Sequence, residues 1–315
     1  MGETTTRDDF RKKVMEVLDG IFWKSFKSNS FGTICSILRV GGMTDANWDP
    51  FEESRRAFDD CNWMLAKALE EKSAECQRRI GLLMYCQAVE MTAPHEILAN
   101  LLRCLKNERY RMNPFGHLGR RKKKELFSWI LPSASAKIKE IKKLSAECHE
   151  EDLAFLFDSF FDERIRNSFS HSDYILTNEY FRYSKGGLPQ QIIISELDQK
   201  ISKCFDFYGP FMSLHEAWRK QLAKLPRYHK WPNFEVLELL SAAEEGLYGF
   251  SIHFSNGSKA TYTRRVTGID AVNLHFERGG TINFFCGLID ALEQIWKIDG
   301  KPVTDWESVN RVDNA

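Results

Sequence analysis

The run from Pro50 to about Met91 constrains the fold most, because it is almost free of helix-breaking residues. Its apolar side chains recur at helical spacing and comprise Phe51, Phe58, Trp63, Met64, Leu69, Ile80, Leu83 and Met84. Thr92-Ala93-Pro94 then predicts the start of a further helix that runs through Leu105, with the proline near its first position. Long antiparallel helices with short connections predict a helical bundle.

Helical periodicity returns in residues 150–169, EEDLAFLFDSFFDERIRNSF, where it predicts a wide apolar stripe facing a core. A short extended segment at Ile192–Asp198 is expected to lead into another helix at about 196–223. We also expect a helix at Lys122–Ile130 and a less regular stretch at Phe31–Val40, before a loop at Gly41–Asn47.

The pattern changes at Lys224–Pro232, KLPRYHKWP, whose two prolines mark a domain boundary. Its cationic and aromatic side chains suit two roles. They could belong to a linker whose rings pack on the protein, or they could bind single-stranded RNA. Beyond it we predict a helix at Phe234–Ala243 and a strand at Tyr248–Phe254. The Asn256-Gly257 turn would join that strand to a partner strand at Lys259–Val266. A second hairpin at Val272–Phe285 and a closing helix at Leu288–Ile298 would follow.

The predicted fold is therefore mainly α, a helical bundle followed by a small α/β domain with an antiparallel sheet. The predicted domains are an N-terminal extension at 1–48, the bundle at 49–225 and the α/β domain at 226–315.

The composition and the missing motifs exclude several classes of function. The 315 residues carry no formal net charge, so a nucleic-acid site would have to be a local patch. The 8 cysteines form no C-x-x-C pair, and no signal peptide or membrane-length apolar run is present, which predicts a cytoplasmic protein with no membrane contact. Motifs of zinc proteases, P-loop and dinucleotide sites and serine-hydrolase elbows are missing, so we expect no cofactor and no metal.

One stretch does carry chemistry, Arg166-Asn167-Ser168-Phe169-Ser170-His171, closed by Ser172-Asp173-Tyr174. Arginine is a permanent cation whose planar fork matches phosphate oxygens. Histidine exchanges a proton near neutral pH. Near a phosphodiester, the two residues would supply charge stabilisation and general acid/base catalysis without a metal.

Helix geometry limits how Arg166 and His171 can cooperate. Positions five apart on an ideal helix are about 140° out of phase. The two side chains therefore share a pocket only if the helix ends or bulges between them, or if a partner chain completes the site. Asn167 lies one turn below His171 and is placed to orient its ring.

The segment resembles the HEPN superfamily, whose signature is R-x4–6-H, often with a polar residue directly after the arginine. The resemblance covers roughly residues 55–220, and its specific part is 166–174. It implies a metal-independent endoribonuclease that acts on RNA as a homodimer, with Arg166 and His171 catalytic and Asn167 in the supporting position. Toxin–antitoxin and phage-defence proteins occur in the family, which implies an antitoxin or defence-system partner.

Two alternatives stay open beside this interpretation. The fold could be a non-catalytic RNA- or nucleotide-binding module, or an oligomerising subunit that binds a partner protein. Arg166 would then be a helix-surface cation, and His171 a residue favoured by the helix dipole. For substrate binding we expect Tyr174 together with Arg121, Lys122 and Lys123, which lie in the densest basic run, Arg120–Lys124.

Overall fold

The computed structural model describes residues 7–40, 50–71, 73–121, 129–231, 235–254, 257–265, 268–272, 274–276, 282–284, 297–298, 301–302 and 310–311. The chain divides into two compact units. Unit 1 comprises Met1–Gly20, Pro50–His95 and Leu118–Ser213, and unit 2 comprises Ile21–Asp49, Glu96–His117 and Leu214–Ala315. Each unit is thus assembled from three separate stretches, whereas the predicted domains are continuous; the predicted boundaries stay a prediction.

The described residues are mainly helical. Their helices are α1 (Arg7–Ser28), α2 (Ser30–Leu38), α3 (Pro50–Glu71), α4 (Ala74–Glu90), α5 (Thr92–Leu105), α6 (Ala134–Glu147), α7 (Glu151–Phe160), α8 (Glu163–Ser170) and α9 (Ile194–Leu222). A short 3-10 turn lies at Gly116–Leu118. Among the described residues, no helix is both long and apolar enough to cross a membrane.

The strands form one larger sheet and several small ones. In chain order they are β1 (Arg120–Arg121), β2 (Trp129–Ile130), β3 (Tyr174–Leu176), β4 (Tyr180–Lys185), β5 (Leu188–Ile193), β6 (Tyr228–Trp231), β7 (Glu235–Ala242), β8 (Gly246–His253), β9 (Lys259–Arg265), β10 (Gly268–Val272), β11 (Leu274–Phe276), β12 (Ile282–Phe284), β13 (Lys297–Ile298), β14 (Lys301–Pro302) and β15 (Asn310–Arg311). The six-stranded sheet has the order β10-β9-β8-β7-β6-β15 and is antiparallel except for the β15–β6 pair.

Unit 1 is built around aromatic side chains from α7 and α9. Phe157 and Phe160 of α7 are fully buried, and their rings lie 4.9 and 5.2 Å from Phe207 of α9. Tyr208, also on α9, packs edge-on against Phe160. Burying one such side chain stabilises a fold by roughly 1.5–3 kcal/mol, so this cluster fixes α7 on α9. A second, antiparallel sheet of order β3-β4-β5 follows α8 directly in the chain.

Unit 2 packs one face of the six-stranded sheet on α2. The rings of Phe31 and Phe250 meet edge-on at 5.3 Å. The buried Arg264 side chain donates hydrogen bonds to the carbonyl oxygens of Leu38 and Arg39, where α2 ends. A sheet residue therefore satisfies the helix terminus, whose last carbonyls have no partner within the helix.

The structure confirms most of the predicted elements and overturns some. The predicted helices at Pro50–Met91, Thr92–Leu105 and about 196–223 are present, and so is the Asn256-Gly257 hairpin as β8 and β9. Phe31–Val40, predicted as less regular, is largely helical in α2. Residues 129–130 form strand β2, not the end of a helix.

The largest error concerns Phe234–Ala243. This segment was predicted as a helix, but Glu235–Ala242 forms strand β7 between β6 and β8. Its apolar residues suit either structure, and pairing with two neighbouring strands decided the outcome. KLPRYHKWP is not simply a linker, because its residues Tyr228–Trp231 form strand β6.

Some predictions fall outside the described residues, namely the Gly41–Asn47 loop, residues 122–128 and most of the closing helix at Leu288–Ile298. The last two residues of that helix, Lys297 and Ile298, form strand β13 instead.

Candidate functional site

The Arg166–His171 motif lies on α8, a helix with a well-defined start. Asp162 is the N-cap, and its carboxylate accepts a hydrogen bond from the Arg164 backbone N–H at 3.0 Å. Burial alone would raise the pKa of Asp162, but hydrogen bonds and charge from Arg164, with Lys200, lower it below its ordinary value. Residues 150–169 thus form two helices, α7 and α8, because this cap interrupts what the apolar pattern presented as one run.

The helix ends between the two motif residues. His171 is the C-cap, and Ser172 adopts a left-handed conformation with φ 56°. The backbone N–H of Ser172 donates to Phe169, and that of Asp173 donates to Ser168, which closes a Schellman-type terminus. This position normally favours glycine, so the motif ends on a mildly strained residue. His171 itself still donates the helical hydrogen bond to Asn167, and the chain turns only at Ser172, so the helix end alone does not bring the Arg166 and His171 side chains onto one face.

Arg166 is held by two neighbours. One amino nitrogen, Nη2, lies 2.6 Å from Oε1 of Glu90, at the end of α4. This contact is an ion pair without the directed geometry of a hydrogen bond. The other amino nitrogen, Nη1, donates to the side-chain oxygen of Asn167 at 2.8 Å. Nε is buried and has no hydrogen-bond partner among the described residues.

Cys86 lies on the same face of α4 as Glu90 and borders the buried side of the site. Its Sγ lies 3.9 Å from the carbonyl oxygen of Arg166. Burial raises the pKa of the Cys86 thiol to about 11, against the lowering effects of a hydrogen bond with Ser170 and the charge of Arg166. The thiol is consequently neutral at ordinary pH and acts as an apolar wall rather than as a nucleophile.

Tyr85 joins α4 to the start of α8. Its buried hydroxyl donates to the carbonyl oxygen of Phe160 at 3.0 Å and accepts from the backbone N–H of Asp162 at 2.8 Å. One side chain therefore satisfies both backbone groups at the break between α7 and α8, which sets where α8 begins.

The structure brings Asn167 to Arg166 but not to His171. The hydrogen bond described between Asn167 and His171 is a backbone one, in which the Asn167 carbonyl accepts from the His171 N–H at 3.0 Å. The predicted role of Asn167 in orienting the His171 ring is therefore not seen, and the amide orients Arg166 instead. His171 is exposed, and its ring has no hydrogen bond to any described residue.

Tyr174, predicted to bind substrate, belongs to an aromatic stack. Its ring lies 5.2 Å from Phe181, nearly parallel to it, and 5.4 Å from Phe169. The stack ties the start of β3 to α8. Tyr174 is half-buried, so part of it remains accessible.

The predicted basic contact surface is described only in part. Arg121 lies in strand β1, paired with Trp129 of β2. Lys122 and Lys123 lie outside the described residues.

Sequence reasoning missed Glu90, Cys86 and Tyr85. All three lie on α4, about eighty positions before α8 in the chain, and their residue types are ordinary for a helix. No local pattern marks them, because only the packing of α4 on α8 brings them to the motif.

Two further features of unit 1 lie away from the Arg166–His171 motif. His95 is fully buried, with Nε2 2.9 Å from the Tyr208 hydroxyl, and burial lowers its pKa to about 3, with a smaller effect from Lys137. A cavity of about 330 Å³ is bordered by α3, α4 and α9, with Arg78 and Asp198 paired at its rim. Within the described part of the chain, no group of three or more His, Cys, Asp or Glu side chains could hold a metal ion.

Comparison with protein-family models, with curated proteins and with solved structures finds no match for this chain.

Proposed function

We propose that this protein is a metal-independent endoribonuclease whose site is centred on Arg166 and His171. The observation that carries the proposal is the end of α8 at Ser170. It leaves His171 exposed with a ring free of protein hydrogen bonds among the described residues, directly beside a helix that holds Arg166. Phosphodiester cleavage needs a group that transfers protons and an oriented cation, and the His171 ring and the Arg166 guanidinium would supply them.

The proposed reaction is internal attack. The ribose 2′-oxygen loses its proton and bonds to phosphorus, while the bond from phosphorus to the 5′-oxygen breaks and that oxygen gains a proton. The products are a 2′,3′-cyclic phosphate and a 5′-hydroxyl. His171 would move a proton as base or as acid, and Arg166 would hold the phosphate oxygens. DNA, without the 2′-hydroxyl, should resist.

A homodimer would supply what one chain lacks. The reaction needs two proton transfers, and one motif offers one histidine. The charge of its arginine is moreover shared with Glu90. Two α8 helices that meet at a two-fold axis would place two arginines and two histidines in one cleft. An antitoxin or defence-system partner remains part of the proposal, as does action in the cytoplasm.

The Arg166–Glu90 ion pair also favours a second candidate, a non-catalytic RNA-binding module. In that function Arg166 would join α8 to α4, and His171 would be a helix C-cap without a chemical role. The two candidates differ in what the loss of the His171 ring does to RNA.

The test is RNA cleavage by the full chain. Wild-type protein should cleave in excess chelator and leave 2′,3′-cyclic ends, and Arg166→Ala or His171→Ala should lower the rate by about 10²–10³. Arg111→Ala and His117→Ala, a similarly spaced pair outside the motif, are the controls. When mixed, the two motif variants should regain part of the activity if the site is composite.

Binding of RNA without cleavage would favour the module instead. Activity that EDTA removes and a divalent ion restores would refute the metal-independent mechanism, and a wild-type rate in His171→Ala would refute the role of the motif. A strictly monomeric, fully active protein would refute the composite site.

A further inference from the structure

The β3-β4-β5 sheet begins three residues after His171 and leaves one face uncovered. The register pairs Ile175 with Arg182 and Arg182 with Gln191, and it pairs Tyr180 with Ile193. Residues directly opposite each other, and residues two apart on one strand, share a face of a sheet. These five side chains, which we call the β3–β5 face, are therefore neighbours.

The two faces of this sheet differ sharply in burial. The opposite face buries its side chains, with Phe181, Tyr183 and Ile192 at 0%, 5% and 5% exposure. On the β3–β5 face, Ile175 and Ile193 are 63% and 58% exposed. Soluble proteins rarely expose apolar side chains in a group, and such a group commonly marks a binding site.

Charge indicates which kind of partner fits. Arg182 is exposed, and its cation lies 5.7 Å from the centre of the Tyr180 ring. Among the described residues it has no carboxylate partner, whereas Arg166 and Arg164 of α8 are paired with Glu90 and Asp162. The β3–β5 face contains no acidic residue, so its field favours an anion.

We propose that the β3–β5 face, which lies on the side of the sheet away from the contacts of Tyr174 and Phe181 with Phe169 of α8, binds single-stranded RNA, with a base stacked on Tyr180 and a phosphate held by Arg182. The inference rests on the proposed function, because it assigns a second contact surface to the RNA substrate of that function. An aromatic ring, a guanidinium plane and flanking apolar side chains on an open sheet are the groups that unpaired bases use for stacking. Paired bases are not free to stack, so duplex RNA should bind more weakly.

The experiment measures fluorescence anisotropy of a labelled single-stranded RNA of about 12 nucleotides with the full chain carrying His171→Ala, so that cleavage does not interfere. Adding Tyr180→Leu should weaken binding about tenfold, whereas Tyr180→Phe, which keeps the ring, should stay within about twofold. Arg182→Gln should reduce the slope of log affinity against log salt by about 0.7. Arg56→Gln, an exposed arginine on α3, is the matched control and should leave the slope unchanged.

The outcomes separate the two proposals. Equal binding by Tyr180→Leu and Tyr180→Phe, or no RNA binding at all, would overturn the inference even if His171→Ala abolishes cleavage. The expected binding pattern in a protein that never cleaves RNA would support the RNA face and refute the nuclease. Variants that alter solution mass but not RNA affinity would assign the face to contact between two copies, which also overturns it.

Discussion

Removing the Tyr85 hydroxyl is the most direct test of how α8 is positioned. Tyr85→Phe keeps the buried ring but leaves the Asp162 N–H and the Phe160 carbonyl without their common partner. Tyr85 is 0% exposed, so water does not readily replace the lost oxygen. Each unsatisfied buried group costs about 1–3 kcal/mol, so for the two groups together we expect a loss of about 2–6 kcal/mol in the free energy of unfolding of unit 1.

The measurement is urea unfolding, with hydrogen exchange of the α8 amides as a local readout. Exchange of the Asp162 amide should accelerate most, because its hydrogen bond is the one removed. Tyr183→Phe is the matched control: Tyr183 is also buried, but no hydrogen bond of its hydroxyl is described, so its loss should stay below about 0.5 kcal/mol. A loss below about 1 kcal/mol for Tyr85→Phe, or unchanged exchange at Asp162, would refute the reasoning.

Two further predictions concern pH and backbone strain. Burial lowers the pKa of His95 to about 3, so the unfolded chain binds a proton that the folded one does not; stability should fall as pH drops from about 6.5 towards 3, and His95→Gln should reduce the slope of the unfolding free energy by up to about 1.4 kcal/mol per pH unit. An unchanged slope would contradict this. Ser172→Gly should raise stability by about 1 kcal/mol, since glycine tolerates the φ of 56° without strain, and a lower melting temperature would count against it.

The elements that were predicted correctly depend on local information. Apolar spacing suffices for α3, α4 and α5, and Pro94 places the start of α5 within its first turn. Gly257 similarly favours the β8–β9 connection, because its φ of 82° is one that few residues other than glycine tolerate. In each case the evidence lies within a few residues of the element.

The errors arose where a distant partner decides. Glu235–Ala242 is apolar enough for a buried helix, and only β6 and β8 on its two sides make it a strand. The break between α7 and α8 has a local signal in Asp162, a favoured N-cap residue, but the run of phenylalanines conceals it. The hydroxyl of Tyr85, which satisfies that break, comes from a helix more than seventy positions away.

The residues of the candidate site also divide into those that neighbouring sequence reveals and those that only packing brings together. Arg166, Asn167 and His171 were found because they are neighbours in sequence, while Glu90 was not. Yet Glu90 determines what Arg166 can do. A guanidinium has five N–H donors, and Glu90 and Asn167 each engage one amino group while Nε is buried.

Arg166 is 29% exposed, and beyond the bond from Nη1 to Asn167 its amino nitrogens keep N–H groups without a described hydrogen-bond partner. A phosphate that binds there need not break the ion pair, but it meets a cation whose charge is partly cancelled by Glu90. Charge that develops on phosphorus in the transition state would thus be met only weakly by one motif. Under the proposed function, Arg166 of a partner subunit would supply the second cation at the reacting phosphate. Arg182 of the β3–β5 face would instead anchor another nucleotide of the same RNA, so the proposed dimer and the proposed RNA-binding face would serve different steps, catalysis and binding.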